Sequence, residues 1–232
     1  MNPLTELYHR LPPPPSTNYL WREFKIKPYE LLPPNAVIFD IGSQDARGAY
    51  AFGPPPPGAK VVCVDIEASP GVDIVADAHD LHMVDHNSVD CVVSVSTLEY
   101  VRSPTRVVKE IFRILKPGGI VYLSLPFIFP SDAGADDFYR FSQRGIEVLC
   151  EDFERIDSGF NRGPASTTLH VFVHFLAILF CFNNKAVYGV LVDMFKWLLF
   201  WMKYLDKYIA HYQVAYVVHS AAYFIGRKPL PQ

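Results

Sequence analysis

The chain has 232 residues, of which 50% are hydrophobic and 19% charged, with a net charge of -3. That length holds one α/β domain with further material, at roughly 100–200 residues per domain, and an aromatic content of 14% excludes a disordered chain. The mild acidity speaks against a nucleic-acid partner, and four cysteines without a CxxC pair exclude a disulfide scaffold or a zinc ribbon.

Met1 to Ser16 is polar and proline-rich without an apolar stretch, so no signal peptide is expected. Residues 1–35 read as an irregular arm. The Pro12–Pro15 run favours extended polyproline, and Trp21 and Phe24 are expected to anchor a short helix. Ala36–Ile41 is an apolar run closing in Asp40-Ile41-Gly42, which predicts a buried strand entering a tight turn. Further apolar runs at Lys60–Ile66, Val72–Ala76 and Ser88–Ser96 predict three more strands. Cys63 and Cys91 lie inside such runs and read as reduced packing residues of a cytosolic protein. Pro104–Leu115 has helical spacing, with Val107, Val108, Ile111 and Leu115 on one face, and Lys116-Pro117-Gly118-Gly119 is expected to stop it. Ile120–Leu125 predicts a fifth strand, Phe141–Asp152 a helix, Phe153–Ser158 a sixth strand, and Tyr223–Gly226 a last edge strand. Continuous apolar strands alternating with helices predict a largely parallel sheet covered on both faces.

Ligands of such sheets bind at the carboxyl ends of the strands. The candidate cofactor-binding stretches there are Asp40, Gly42, Ser43, Gln44 and Asp45 after strand one, Asp65 and Ile66 after strand two, Asp77-Ala78-His79 after strand three, and Ser94–Tyr100, with Ser96, after strand four. Gly42 lets the backbone approach a ligand, Asp65 suits ribose hydroxyls, and Asp77 suits an adenine edge. A dinucleotide site would carry G-x-G-x-x-G. Here Gln44 and Arg47 take the second and third glycine positions, which disfavours an NAD-dependent oxidoreductase. The acidic loop at Asp45 suits a cationic ligand such as a sulfonium.

The motifs Phe39-Asp40-Ile41-Gly42-Ser43, Val64-Asp65-Ile66-Glu67, Ala76-Asp77-Ala78-His79-Asp80-Leu81, Ser96-Thr97-Leu98-Glu99-Tyr100-Val101 and Ile114-Leu115-Lys116-Pro117-Gly118-Gly119 occur in this order. Together they resemble the class I S-adenosylmethionine-dependent methyltransferases of the type 11 kind, from Val37 to about Gly159 and again over Tyr223–Pro229. The resemblance implies an α/β, Rossmann-like, seven-stranded mostly parallel sheet of order 3-2-1-4-5-7-6, with helices on both faces. It implies S-adenosyl-L-methionine as cofactor, held by Gly42 at the methionine moiety, Asp65 at the ribose, and Asp77 with the Ala78 backbone at the adenine.

Pro126-Phe127-Ile128-Phe129-Pro130 followed by Asp137-Phe138-Tyr139-Arg140-Phe141-Ser142 is similar to a bacterial subgroup associated with polysaccharide and cell-envelope glycan assembly. Asp132 and Ala135 stand where that subgroup has histidine and proline, and Tyr100 stands where it has histidine. Methyl transfer relies mainly on alignment and exclusion of water, but a sugar hydroxyl also needs a base within reach. The candidates are Asp137, Asp136, Asp132, Glu99 and His79. Asp137 ranks first, with Arg140 as an anion clamp, against a plain reading in which Asp137, Tyr139 and Arg140 cap the next helix. His79, His82 and His86 lie among Asp77, Asp80 and Asp85 but lack a ligand-like repeat, so no metal site is expected. His170 and His174 are four apart without a following glutamate or third ligand, and read as a core or interfacial pair.

Residues 165–226 hold six charges but 15 of the 33 aromatic residues, whereas residues 1–164 carry 22 acids and 15 basic residues. The expected organisation is therefore an arm (1–35), a methyltransferase domain (36–164 and 219–232), and an apolar helical insertion (165–218). Thr168–Phe182 is a 15-residue apolar run, short of the roughly 20 needed to span a membrane. Over 185–209, read as one helix, Lys185, Gly189, Asp193, Lys196, Lys203 and Lys207 form a narrow stripe opposite Trp197, Trp201 and Tyr204. That pattern suits a helix in a membrane interface; a self-packed helical subdomain or a homodimer interface are the alternatives. The functional expectation is O-methylation of a small-molecule, glycan or lipid-linked acceptor by a cytoplasmic protein peripherally attached to the inner membrane face. A catalytically degenerate fold acting as a membrane-associated assembly partner is the competing expectation.

Overall fold

The computed structural model describes residues 15–17, 27–43, 49, 53–131 and 136–231. The expectations about Pro12–Pro14, Trp21, Phe24, Gln44, Asp45, Arg47, Asp132 and Ala135 lie outside them. The chain divides into two compact units. One comprises 22–161 and 219–232, the other 1–21 and 162–218.

The larger unit is a seven-stranded sheet of order β3-β2-β1-β4-β5-β7-β6. Its strands are β1 (Val37–Ile41), β2 (Lys60–Asp65), β3 (Ile74–Val75), β4 (Val89–Val95), β5 (Leu115–Pro126), β6 (Glu154–Phe160) and β7 (Ala221–Arg227). β1 to β5 pair in parallel, and β7 runs antiparallel to both β5 and β6. β7 thus lies inside the sheet and β6 forms the edge, which corrects the edge placement read from the Tyr223–Gly226 run. Its fully buried Ala222 and Ile225 explain why: a strand apolar on both faces belongs in the interior.

Side-chain alternation divides the core into two clusters, one on each face. Phe39, Val62, Val92, Val121 and Phe224 pack with helix α1 (Pro104–Ile114) and helix α2 (Gln143–Leu149). Their neighbours Ile38, Cys91, Tyr122 and Ile225 pack with Tyr29 of a 3-10 turn over Pro28–Leu31. α1 buries Val107, Val108, Ile111 and Ile114, each contributing about 1.5–3 kcal/mol relative to exposure. Ser142 Oγ caps α2 by accepting from the Gly145 N–H at 3.1 Å, so this helix begins later than the apolar pattern predicts.

The Lys116–Gly119 stop is part of β5. Val89 pairs with Leu115 and Cys91 with Ile120, so the extra β5 residues bulge out while the strand continues. Asp90 ties this corner together, accepting from the Val37 N–H at 2.9 Å and the Lys116 ammonium at 2.8 Å. All four cysteines are free and buried, and burial pushes the Cys91 and Cys150 thiols upward.

The smaller unit contains helix α3 (Pro164–Phe180), helix α4 (Lys185–Leu199), a 3-10 segment over Phe200–Leu205 and a short helix α5 (Asp206–Ile209). Leu169, Val173 and Ala177 of α3 pack against Val192 of α4. The single helix read over 185–209 is broken at Leu199, so its lysine stripe is not continuous. Asp206, placed beside that stripe by sequence, is fully buried instead. Its carboxylate accepts from the Ala165 and Ser166 N–H groups at 2.8 and 2.9 Å, satisfying the open donors at the α3 start. Gly163 permits this approach, since a Cβ there would lie 2.5 Å from Asp206 Oδ1. Among the described residues, no helix is long and apolar enough to cross a membrane.

Candidate functional site

Four loops leave the carboxyl ends of β1 to β4 on one edge of the sheet, and backbone bonds beyond the strand ends hold them. Gly42 N–H donates to Val64 O, Ala76 N–H to Asp65 O and Ser96 N–H to Ser124 O, each at 2.8 Å. Gly42 adopts φ +75°, and a Cβ there would strike the Thr97 side chain at 2.1–2.6 Å. Only glycine meets both conditions. Thr97 Oγ1 donates to Ile41 O at 3.2 Å and Ser94 Oγ to the same carbonyl at 2.9 Å, which joins the first and fourth loops. Ser96 sits in the left-handed region at φ +55°, a conformation that non-glycine residues hold only where their surroundings enforce it.

Asp40 points inward. It is 1% exposed, and its carboxylate accepts from the Ala49 N–H at 2.7 Å. Ser43 is buried with no hydrogen-bond partner for Oγ among the described residues. Asp65 Oδ1 accepts from the Glu67 N–H at 3.0 Å, and Ile66 beside it is exposed.

Asp77 Oδ1 accepts from the His79 N–H at 2.8 Å and meets His79 Nδ1 at 2.6 Å, with Ala78 between them. The backbone bond from His79 is the main cause of the low carboxyl pKa of Asp77. His79 Nε2 accepts from the Ser103 N–H at 3.2 Å, which leaves Nδ1 to carry the proton and donate to Asp77. With both ring nitrogens engaged, His79 is a brace between two loops and not a free base. Among the described residues, no group of three or more His, Cys, Asp or Glu is placed to hold a metal ion.

Glu99 lies at the end of the fourth loop and is 2% exposed. Its main-chain carbonyl accepts from the Phe138 and Tyr139 N–H groups at 2.8 and 3.2 Å, so the 137–141 segment is stitched to it. Glu99 Oε2 has no hydrogen-bond partner among the described residues. Burial pushes its carboxyl up to about 7, against smaller lowering effects from its own backbone and from Arg140.

Asp137 and Arg140 form a two-pronged ion pair. Arg140 also donates to Tyr139 O at 2.8 Å, Pro130 O at 3.3 Å and Phe129 O at 3.4 Å. Asp137 is the main cause of the raised Arg140 pKa. Both carboxylate oxygens of Asp137 are therefore occupied, and the Arg140 fork is closed on protein. In this structure the pair is a clasp between the 137–141 segment and the Phe129–Pro130 stretch that follows β5. It does not cap the next helix, which Ser142 does.

The residues around these loops match a known family model. Residues 39–123 match the model of a methyltransferase domain. Solved structures with the same fold include phosphoethanolamine N-methyltransferase 2 of Haemonchus contortus, in complex with phosphomonomethylethanolamine and S-adenosylhomocysteine. It is 19% identical over 88% of this chain and 51% of its own, with a TM-score of 0.51. A second is a putative sarcosine dimethylglycine methyltransferase from Galdieria sulphuraria, 11% identical over 87% of this chain and 81% of its own, with a TM-score of 0.51. A third is a putative methyltransferase from Bacillus halodurans, 15% identical over 85% of this chain and 94% of its own, with a TM-score of 0.50. The chain spans about half the length of the Haemonchus enzyme. A comparison with curated proteins finds no match. At these identities the solved structures establish the fold, a Rossmann-like class I methyltransferase sheet.

Within the sheet unit, Gly42, Ser43, Asp65, Ile66, Asp77, Ala78, His79 and Ser96 all follow the carboxyl ends of adjacent parallel strands. Glu99, Asp137 and Arg140 gather beyond β4 and β5. Sequence reasoning missed the buried polar group Ser124, Asn161 and Ser220 at the β5, β6 and β7 ends, where Asn161 Nδ2 donates to Ser124 Oγ at 2.6 Å. No local motif marks it, because its members are far apart in sequence.

Proposed function

We propose that this protein uses S-adenosyl-L-methionine to O-methylate a glycan or lipid-linked acceptor, with Glu99 as the proton acceptor. The observation that carries the reading is the Glu99 carboxyl: buried at the strand ends, with an unpartnered oxygen and a pKa near 7. A base poised near the working pH has both the population and the basicity for proton transfer.

The residues present suit the cofactor. Gly42 keeps the first loop free of a side chain at the turn, and buried Ser43 Oγ is open to accept or donate. Asp65 stands at the ribose position with exposed Ile66 beside it, and Asp77, Ala78 and His79 form the adenine edge. S-adenosylmethionine supplies, when bound, a methyl group already activated on a sulfonium. The protein's task is then to align the acceptor, exclude water and take one proton. Glu99 Oε2 takes that proton from the acceptor hydroxyl, and the Asp137–Arg140 clasp holds the 137–141 segment over it. The carbohydrate or lipid-linked acceptor is supported by the similarity of the Pro126–Pro130 and Asp137–Ser142 stretches to a glycan-associated subgroup.

Calorimetric titration with S-adenosylmethionine tests the cofactor, and release of S-adenosylhomocysteine over a panel of glycan and glycolipid fractions tests the acceptor. Binding with a Glu99→Gln variant that binds cofactor but loses turnover is the expected result. No binding at millimolar cofactor overturns the reading.

A further inference from the structure

Most exposed large hydrophobic side chains of the described residues fall within 171–217, in the smaller unit. They are organised. On α3, Val171, Phe175 and Ile178 recur at helical spacing on the side opposite buried Leu169, Val173 and Ala177. On α4, Val190, Met194 and Trp197 do the same opposite Val192. Each helix therefore has an apolar stripe on both its inner and its outer side.

Four polar groups of the hairpin, His170, His174, Asp193 and Lys196, are only partly exposed and are engaged with protein partners. His174 Nδ1 meets Tyr188 Oη at 2.7 Å between α3 and α4, and His170 Nδ1 meets Thr17 Oγ1 at 2.9 Å. Lys196 pairs with Asp193 at 3.4 Å, and both side chains are only about a quarter exposed. A helix pair that engages these polar groups internally and exposes apolar ones is built for an apolar neighbour.

The charge balance identifies that neighbour. Both acids of the described part of this unit are used internally, Asp193 by Lys196 and Asp206 by the start of α3. Lys207 remains exposed beyond α4; exposed Lys185 starts α4 on its Val192 side, away from the outer stripe. Lys203 and Lys207 lie over the rings of Tyr204 and Tyr208, at 5.1 and 6.0 Å. The outer face is thus apolar and aromatic, with a cationic margin at its 200–208 end, where Lys203 also donates to Ser16 O at 2.8 Å; that composition seats in an anionic bilayer interface. A protein partner would need only apolar complementarity and gives no reason for the one-sided charge.

We infer that the outer face of α3, α4 and the Phe200–Leu205 segment is a docking surface for an anionic lipid bilayer, lying in the interface without crossing it. This goes beyond the proposed methyl transfer and does not depend on it.

Flotation of the full chain with vesicles of phosphatidylcholine alone, or with one-third phosphatidylglycerol, tests the surface. The expected result is flotation with the anionic vesicles, at least tenfold less with phosphatidylcholine alone, and weakening as salt is raised. Phe175→Glu with Trp197→Glu should abolish flotation. Both sites are exposed, so the circular dichroism spectrum and S-adenosylmethionine binding should stay as they are. Absence of flotation with anionic vesicles overturns the inference. So does a dimer in solution that the same two substitutions dissociate, because the face would then be covered by a second copy.

Discussion

Glu99 and Asp137 are two carboxylates gathered beyond β4 and β5, in different surroundings. Arg140 holds Asp137 with both nitrogens of its fork, while Glu99 has burial without a hydrogen-bonding partner on Oε2. The consequence for pH is specific. Glu99 in the folded state, near 7, keeps its proton at pH values where the unfolded chain has lost it. It therefore stabilises the fold fully below the ordinary glutamate range, and that contribution is lost as pH rises to about 7. Glu99→Gln should flatten this loss, which amounts to at most about 3 kcal/mol at 1.36 kcal/mol per unit; urea titrations at pH 4.5 and 8 measure it. Activity should move the other way, rising through pH 7 as the carboxylate forms. At Gly42, alanine meets both a positive φ and the Thr97 side chain. Gly42→Ala should lower S-adenosylmethionine affinity at least tenfold in calorimetry while the sheet remains folded.

Helix ends in this protein are satisfied from far along the chain. Lys228, just after β7, donates to Phe112 O at 2.6 Å, Leu115 O at 2.8 Å and Asn87 Oδ1 at 2.8 Å, and so closes the end of α1. A cation at that position also opposes the negative end of the helix. Lys228→Met should cost roughly 2 kcal/mol, because buried carbonyls lose their donor; chemical denaturation followed by circular dichroism measures it. Asp206 plays the matching part at the start of α3. Asp206→Ala leaves two buried N–H groups open and should destabilise the helical unit by about 2–3 kcal/mol, read from the emission of Trp197 and Trp201. His170 adds a pH response to the same unit. Burial, His174, Arg162 and Lys196 together lower its pKa to about 4. The unfolded chain takes up the proton first, so this contribution is present above about pH 6.5 and declines as pH falls towards 4. The same emission, followed at pH 7 and 5, should show a lower denaturation midpoint at pH 5, and His170→Phe should reduce the difference.

At the scale of the whole chain, two units divide two kinds of surface. The sheet unit gathers its polar loops at one edge and is covered by helices with ordinary charged outer faces. The helical unit has a small core and a broad apolar exterior. Cofactor binding at the sheet edge should raise the thermal midpoint measured by circular dichroism, by the equivalent of about 2.7 kcal/mol at one hundred times the dissociation constant. No shift with S-adenosylmethionine would remove the basis for the proposed chemistry.

The order of apolar runs and the polar residues closing them already specified a parallel sheet with a ligand edge. Phe39–Ser43, Val64–Glu67, Ala76–Leu81 and Ser96–Val101 announce their positions because strand alternation, tight turns and strand-end polarity are local properties. The Asp137–Arg140 clasp, the brace at His79, the burial of Asp206 and the inward turn of Lys196 were decided only by the tertiary structure. Each depends on which distant groups packing brings within hydrogen-bond reach. A carboxylate reads the same in sequence whether its neighbour in space is a guanidinium, a helix end or nothing polar at all, and those neighbours determine whether it binds, braces or takes a proton.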